Sequence, residues 1–210
     1  VIASTSVNLA ELLRQTGRPQ EALSVANRAV EFAEEIYTNQ VEPVDANTTL
    51  VPAHGCRAHA LQALGRYSDA VSDWDRIVAV ARNPVRPAHF VSRAYCMVQA
   101  KQFHNAAAEA MRLASESQVH PDNLYNVACI LCLSAPAMPD TTDASNNDQP
   151  TQQQCVETAL TLLEQLNQSK YFDDAARAAH VRVDSDLTVL HDEPRFRQLF
   201  PATPDAQDVP

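Results

Sequence analysis

Glycine is scarce in this chain, with 3 residues in 210 against 13 prolines. Tight β-hairpins and phosphate-cradling loops both consume glycine, so the shortage argues against an all-β fold and against a Gly-rich nucleotide loop. No apolar run is long enough to span a bilayer. There is no initiator methionine, signal peptide or basic transit segment, and Val1 opens almost directly into a helical pattern. The chain is therefore expected to be a piece of a longer protein. Basic residues are in deficit too. The formal net charge is −10, carried unevenly: residues 1–120 hold 12 acids and 11 bases, and residues 121–210 hold 14 acids and 5 bases. A general nucleic-acid binder needs a basic face, so that class is excluded, and a basic protein segment suits the acidic back half better. Five cysteines, an odd number placed mostly in helical segments, point to a reduced, cytoplasmic setting.

What the chain does have is helical periodicity, clearest in AHGCRAHALQALGRYSDAVSDWDRIVAVA, residues 53–81. One apolar stripe closes on Leu61 and Leu64; a second runs through Ala70, Val71, Trp74, Ile77 and Val78. Gly65 stands where a helix ends in a left-handed residue, so the stretch reads as two antiparallel helices joined by a tight turn. Aligned on Gly17, residues Ala10, Leu13, Ala22 and Ala29 repeat the pattern, with Ala26 in the place of Trp74. A third copy turns at Lys101-Gln102-Phe103, with Lys101 in the Gly place, and uses Ala94, Met97, Ala106, Ala110 and Leu113. The turns are 48 and then 36 residues apart. A fourth copy begins at Pro121, carries a polar insertion and resumes in a Leu-rich helix.

The spacing of Ala58, Gly65, Tyr67, Ala70 and Trp74 resembles the tetratricopeptide repeat, whose period is about 34 residues. The resemblance implies an all-α, TPR-like α-α superhelix of about four helical hairpins with a short-helix C-terminal cap. The hairpins are expected at 4–37, 51–82, 86–117 and 121–168, the last with an inserted loop at 135–153. Capping short helices are expected at 169–200 and a disordered tail at 201–210. A hairpin of this kind cannot bury its apolar face alone, so neighbours and a cap are required. The ending YFDDAARAAHVRVDSDLTVLHDEPRFRQLF resembles the C-terminal region of bacterial, planctomycete-like serine/threonine kinases. Asp184, Asp186, Leu187, Leu190, Pro194, Phe196 and Leu199 carry that likeness. It implies a regulatory or scaffolding region whose catalytic domain lies outside these residues. No Gly-rich loop, His-Arg-Asp loop or Asp-Phe-Gly is present, and His191-Asp192-Glu193 does not substitute for them.

Candidate chemistry is thin. Cys129-x-x-Cys132 puts two thiols on one helix, but a zinc site needs two further ligands and a thioredoxin-type pair needs a preceding strand. A free-standing helical enzyme or metal/redox protein using Cys129 and Cys132 is the alternative reading. His54 and His59 lie on different faces of one helix; His104, His120, His180 and His191 lie near turns. No catalytic residue, metal or cofactor is assigned. The repeat register places Asn8, Glu11, Arg14, His59, Gln62, Tyr95, Gln99, Tyr125 and Asn126 on a concave face. That face suits a protein or peptide segment, or an attached domain of the same chain. Tail-binding relatives clamp carboxylates there with Lys, Asn and Arg. Val7, Glu11, Gly55 and His59 do not reproduce that cluster.

Overall fold

The computed structural model describes residues 2–39, 45–81, 86–139 and 150–201, with helices and turns but no strand among them. Much of the expected inserted loop and nearly all of the expected disordered tail, residues 140–149 and 202–210, lie outside the described residues. The chain divides into two compact units, 1–101 and 102–210.

The first unit holds α1 (Ile2–Gln15), α2 (Pro19–Asn39), α3 (Leu50–Ala63), α4 (Tyr67–Val80) and α5 (Pro87–Gln99). Each helix packs on the next, and α1 also packs on α3, the arrangement of stacked hairpins. The third expected hairpin, 86–117, straddles the division: α5 belongs to the first unit, and the helix after the turn belongs to the second.

Both early turns close in the same way. Gly17 and Gly65 have φ of +75° and +71°. The Gly65 N–H donates to the Gln62 carbonyl at 3.0 Å and the Arg66 N–H to Leu61 at 2.9 Å; Gly17 and Arg18 repeat this with Arg14 and Leu13. This is the Schellman closure, which satisfies carbonyls at a helix end and favours glycine. Lys101, in the same repeat place, adopts φ +61° without being glycine. The restart chemistry repeats too, as Arg18 pairs with Glu21 and Arg66 with Asp69. Ala10, Ala22, Ala58 and Ala70 are fully buried, as close helix approach requires.

A polar network ties α2, α3 and α4 together. His54 is almost fully buried. Its Nδ1 lies 2.7 Å from Asp73 Oδ1 and its Nε2 3.0 Å from Glu34 Oε1. Arg57 grips Asp73 at 2.6–3.1 Å, and Arg76 holds Glu34 with two bonds of 2.8 and 2.7 Å. Two guanidinium groups thus balance two carboxylates, with an imidazole bridging the acids. Burial pushes the Asp73 pKa up, but the bonds from His54 and Arg57 outweigh it and hold the group below its ordinary value. Arg76, helped by His54, outweighs partial burial to hold Glu34 at about 2.

The second unit holds α6 (Phe103–Ala114), α7 (Pro121–Ser134) and α8 (Gln152–Gln168). After these come α9 (Ala175–Val183), α10 (Pro194–Leu199) and 3-10 segments at Ala135–Ala137, Tyr171–Asp173 and Ser185–Leu190. Pro121 takes the first turn of α7, where its missing N–H is no loss. Thr151 and Gln154 form a capping box at the start of α8. Phe172, Phe196 and Phe200 join in edge-on and tilted contacts at 4.9 and 5.1 Å. Leu187 and Leu190 are fully buried, and Arg195 reaches Glu157 and Glu164 of α8. The closing segment therefore packs onto α7 and α8 as a lid.

Three stability measurements check these contacts and the Lys101 turn. Asp73→Asn leaves Arg57 without its carboxylate, and urea denaturation followed by Trp74 fluorescence should show a loss of about 3 kcal/mol. Glu34 has a folded pKa below its unfolded one, so its contribution is present above about pH 4.5 and vanishes as pH falls through about 2. The stability gap between the native chain and Glu34→Gln should close over that window. Lys101→Gly should raise stability by about 1 kcal/mol by relieving the left-handed backbone, read as a higher denaturation midpoint.

Candidate functional site

Within the first unit a cavity of about 870 Å³ opens between α1, α3 and α5. Val7 and Glu11 of α1, Val51, Cys56 and His59 of α3, and His89 and Ser92 of α5 line it. Trp74 of α4 also lines it, with Arg86 just ahead of α5. The helix period puts these residues on one side: 52, 55, 56 and 59 recur at spacings of three and four along α3. The polar network on the other side of α3 fixes which face turns inward, through His54 and Arg57. Cys56 donates to the Val7 carbonyl at 3.6 Å, joining α3 to α1.

Trp74 is 2% exposed and organises the cavity's aromatic part. The His59 ring meets it edge-on at 5.2 Å, and the His89 ring stacks on it at 6.1 Å. The surrounding protein, aided by the Arg14 charge, holds the His59 pKa below its usual value. Burial and Arg86 do the same for His89. Both imidazoles are thus biased towards the neutral form. Glu11 is gripped by Arg14 at 2.9 and 2.6 Å, which holds its carboxyl at about 2. Arg86 is exposed and has no ion-pair partner among the described residues.

Of the concave-face residues expected from the repeat register, Glu11 and His59 line this cavity, and Arg14 acts on it through Glu11. Asn8 and Gln99 are exposed; Gln62 is half-buried. Tyr95 sits at the surface with its ring edge-on to Tyr67 at 6.3 Å. None of these four lines the cavity. His89 had no sequence signal beyond its type, because its role depends on where Trp74 lies. Trp74 was legible as a packing residue, and its exposure bears that out, but its contact with two imidazoles was not.

In the second unit Asn126 is exposed while Tyr125 is closed in. The Tyr125 hydroxyl donates to Asp184 Oδ2 at 2.6 Å, and Tyr171, Phe172 and His180 surround its ring. This placement corrects the expectation of an open groove position, because the lid packs over that part of α7. Asp184 also lies 3.1 Å from His180 Nε2 and accepts the Asp186 N–H at 2.9 Å, capping the 3-10 segment. Burial and the Asp184 hydrogen bond both push the Tyr125 pKa up. Cys129 and Cys132 are buried, and burial drives both thiols far above the usual range. Cys129 points its thiol at Asp184, 3.9 Å away. Among the described residues no group of three or more His, Cys, Asp or Glu is placed to hold a metal ion. No helix among them is long and apolar enough to cross a membrane.

Comparison with known proteins agrees with the geometry at the front of the chain. A family model described as tetratricopeptide repeat matches residues 2–37, which is the α1–α2 hairpin. No curated protein and no solved structure matches the chain. Residues 2–37 thus match a tetratricopeptide repeat, and the described residues form an all-α fold of packed helical hairpins.

Proposed function

We propose that the first unit is a non-catalytic binding region that holds a protein segment in the cavity between α1, α3 and α5. One observation carries the reading: first helices of successive hairpins supply the walls, and Trp74 with two imidazoles supplies an aromatic floor. The volume, about 870 Å³, is within the range of ligand-holding clefts, roughly 300–1,000 Å³. Val7, Val51 and Trp74 ask for an apolar anchor on the partner, and the one acid in the lining among the described residues, Glu11, is already engaged by Arg14. A basic segment, or an attached domain of the same polypeptide, suits the acidic residues of 121–210 instead. Tetratricopeptide repeats are typically non-catalytic, in keeping with this reading.

The closing run from Asp184 to Phe200 supports a further proposal about the parent protein. It resembles the end of the regulatory region of serine/threonine kinases, so the chain would act as the scaffold or regulator of a cytoplasmic signalling protein. The lid's own contacts give that ending a structural role as well, since Asp184, Leu187, Leu190 and Phe196 are what fasten it.

The binding reading is tested by selecting peptides from a displayed library on the full chain. Val51→Asp and His59→Glu should each weaken the selected ligands by about tenfold or more, with far-UV circular dichroism unchanged. Ligands that hold both variants as tightly as the native chain would place binding elsewhere.

A further inference from the structure

The outer face of the first hairpin differs from its counterparts deeper in the stack. Leu12 is 57% exposed and Leu9 47%. In the repeat register Leu12 corresponds to Ala60 and Cys96, which are 1% and 0% exposed. In both cases the second helix of the preceding hairpin packs alongside: α2 on α3, and α4 on α5, with Trp74 reaching Cys96. Leu9 corresponds to Arg57, whose guanidinium is committed to Asp73. This face is more apolar than the equivalent surface of the second hairpin.

The register also accounts for a charge. Arg28 occupies the place of Arg76, and Arg76 holds Glu34 of the preceding second helix at 2.7 Å. Arg28 is exposed and has no such carboxylate among the described residues. The face therefore presents two exposed leucines on α1 and, on α2, a guanidinium without a carboxylate among the described residues, in the register that α3 and α4 use to receive α2.

We propose that this face docks a partner helix of the α2 kind: amphipathic, lined with small apolar residues, and bearing a carboxylate where α2 has Glu34. Ala26, Ala29 and Ala33 show the small-residue lining on α2 itself, all fully buried. A bulky Leu12 complements such a lining better than a second bulky face would. A second copy of this chain is the poorer occupant. Its α2 and α4 already cover α3 and α5, and its α8 is covered by the closing segment. The proposal is independent of the cavity, which lies on another side of α1 and involves Val7 and Glu11.

The test uses the full chain and a labelled peptide of residues 19–39, held helical by an i,i+4 lactam on its polar face. Saturable binding in fluorescence anisotropy is expected, weakened about tenfold or more by Leu12→Asp or Arg28→Glu. A peptide carrying Glu34→Arg should bind the native chain poorly and regain affinity for Arg28→Glu. Both mutated residues are exposed, so circular dichroism should be unchanged. If Leu12→Asp loses helicity, the charge-reversal pair alone decides. Absence of saturable binding, or binding indifferent to the charge reversal, overturns the proposal. So does a dimer in sedimentation that Leu12→Asp dissociates, because the face would then close on a second copy.

Discussion

The contact on which the first unit depends is the one between His54 and the two carboxylates that flank it. His54 lies on α3, Asp73 on α4 and Glu34 on α2, so a single imidazole touches the polar edges of both neighbours. Burying such groups does little for net stability, since desolvation offsets most of the attraction. What the network supplies is register. Rotation of α3 by one residue, about 100°, would separate His54 from both acids and strand Arg57. The apolar contacts of Ala53, Ala58 and Leu61 tolerate small slips more readily, because dispersion is not directional. With the rotation of α3 set, residues 52, 55, 56 and 59 face inward, and the cavity exists because of that choice.

The second unit meets the same need with a different device. Its polar anchor is Asp184, which accepts from Tyr125 on α7 while capping the segment that carries Leu187 and Leu190. One carboxylate therefore fastens the lid to the helix that the lid covers. The phenylalanines at 172, 196 and 200 add the apolar area, and Arg195 ties α10 to α8 through two glutamates. An otherwise exposed hairpin face is closed by short elements that could not hold shape on their own, because isolated helices of this length are unstable in water.

The helices were legible because their signals are local. Gly17 and Gly65 mark left-handed ends, the alanines mark close approach, and apolar residues recur at helical spacing. Even Lys101 was legible as a turn, although a lysine there carries backbone strain that the repeat normally avoids. The site was legible only in part. Repeat register put Glu11 and His59 on the inner side, and both line the cavity. His89 was not legible, because its value lies in stacking on a tryptophan fifteen positions earlier in the chain. The His54 network was hidden for the same reason, its partners lying 19 and 20 residues away. Tyr125 was misplaced because a repeat register knows nothing of a lid that arrives 59 residues later.

Repetition explains the stacking, and departures from repetition explain what differs between surfaces. At one place in the register the chain writes Leu9 in the first hairpin and Arg57 in the second; at another it writes Val25 and then Asp73. Where the second hairpin meets α2 it uses the Arg76–Glu34 ion pair, which is selective but contributes little. On its outer face the first hairpin carries two exposed leucines, which favour burial without choosing a register. Arg28 supplies the selectivity that the leucines lack, since it stands where Arg76 holds Glu34 and favours a partner with a carboxylate in reach. A face with both features is apolar enough to be covered and charged enough to discriminate among helices that could cover it.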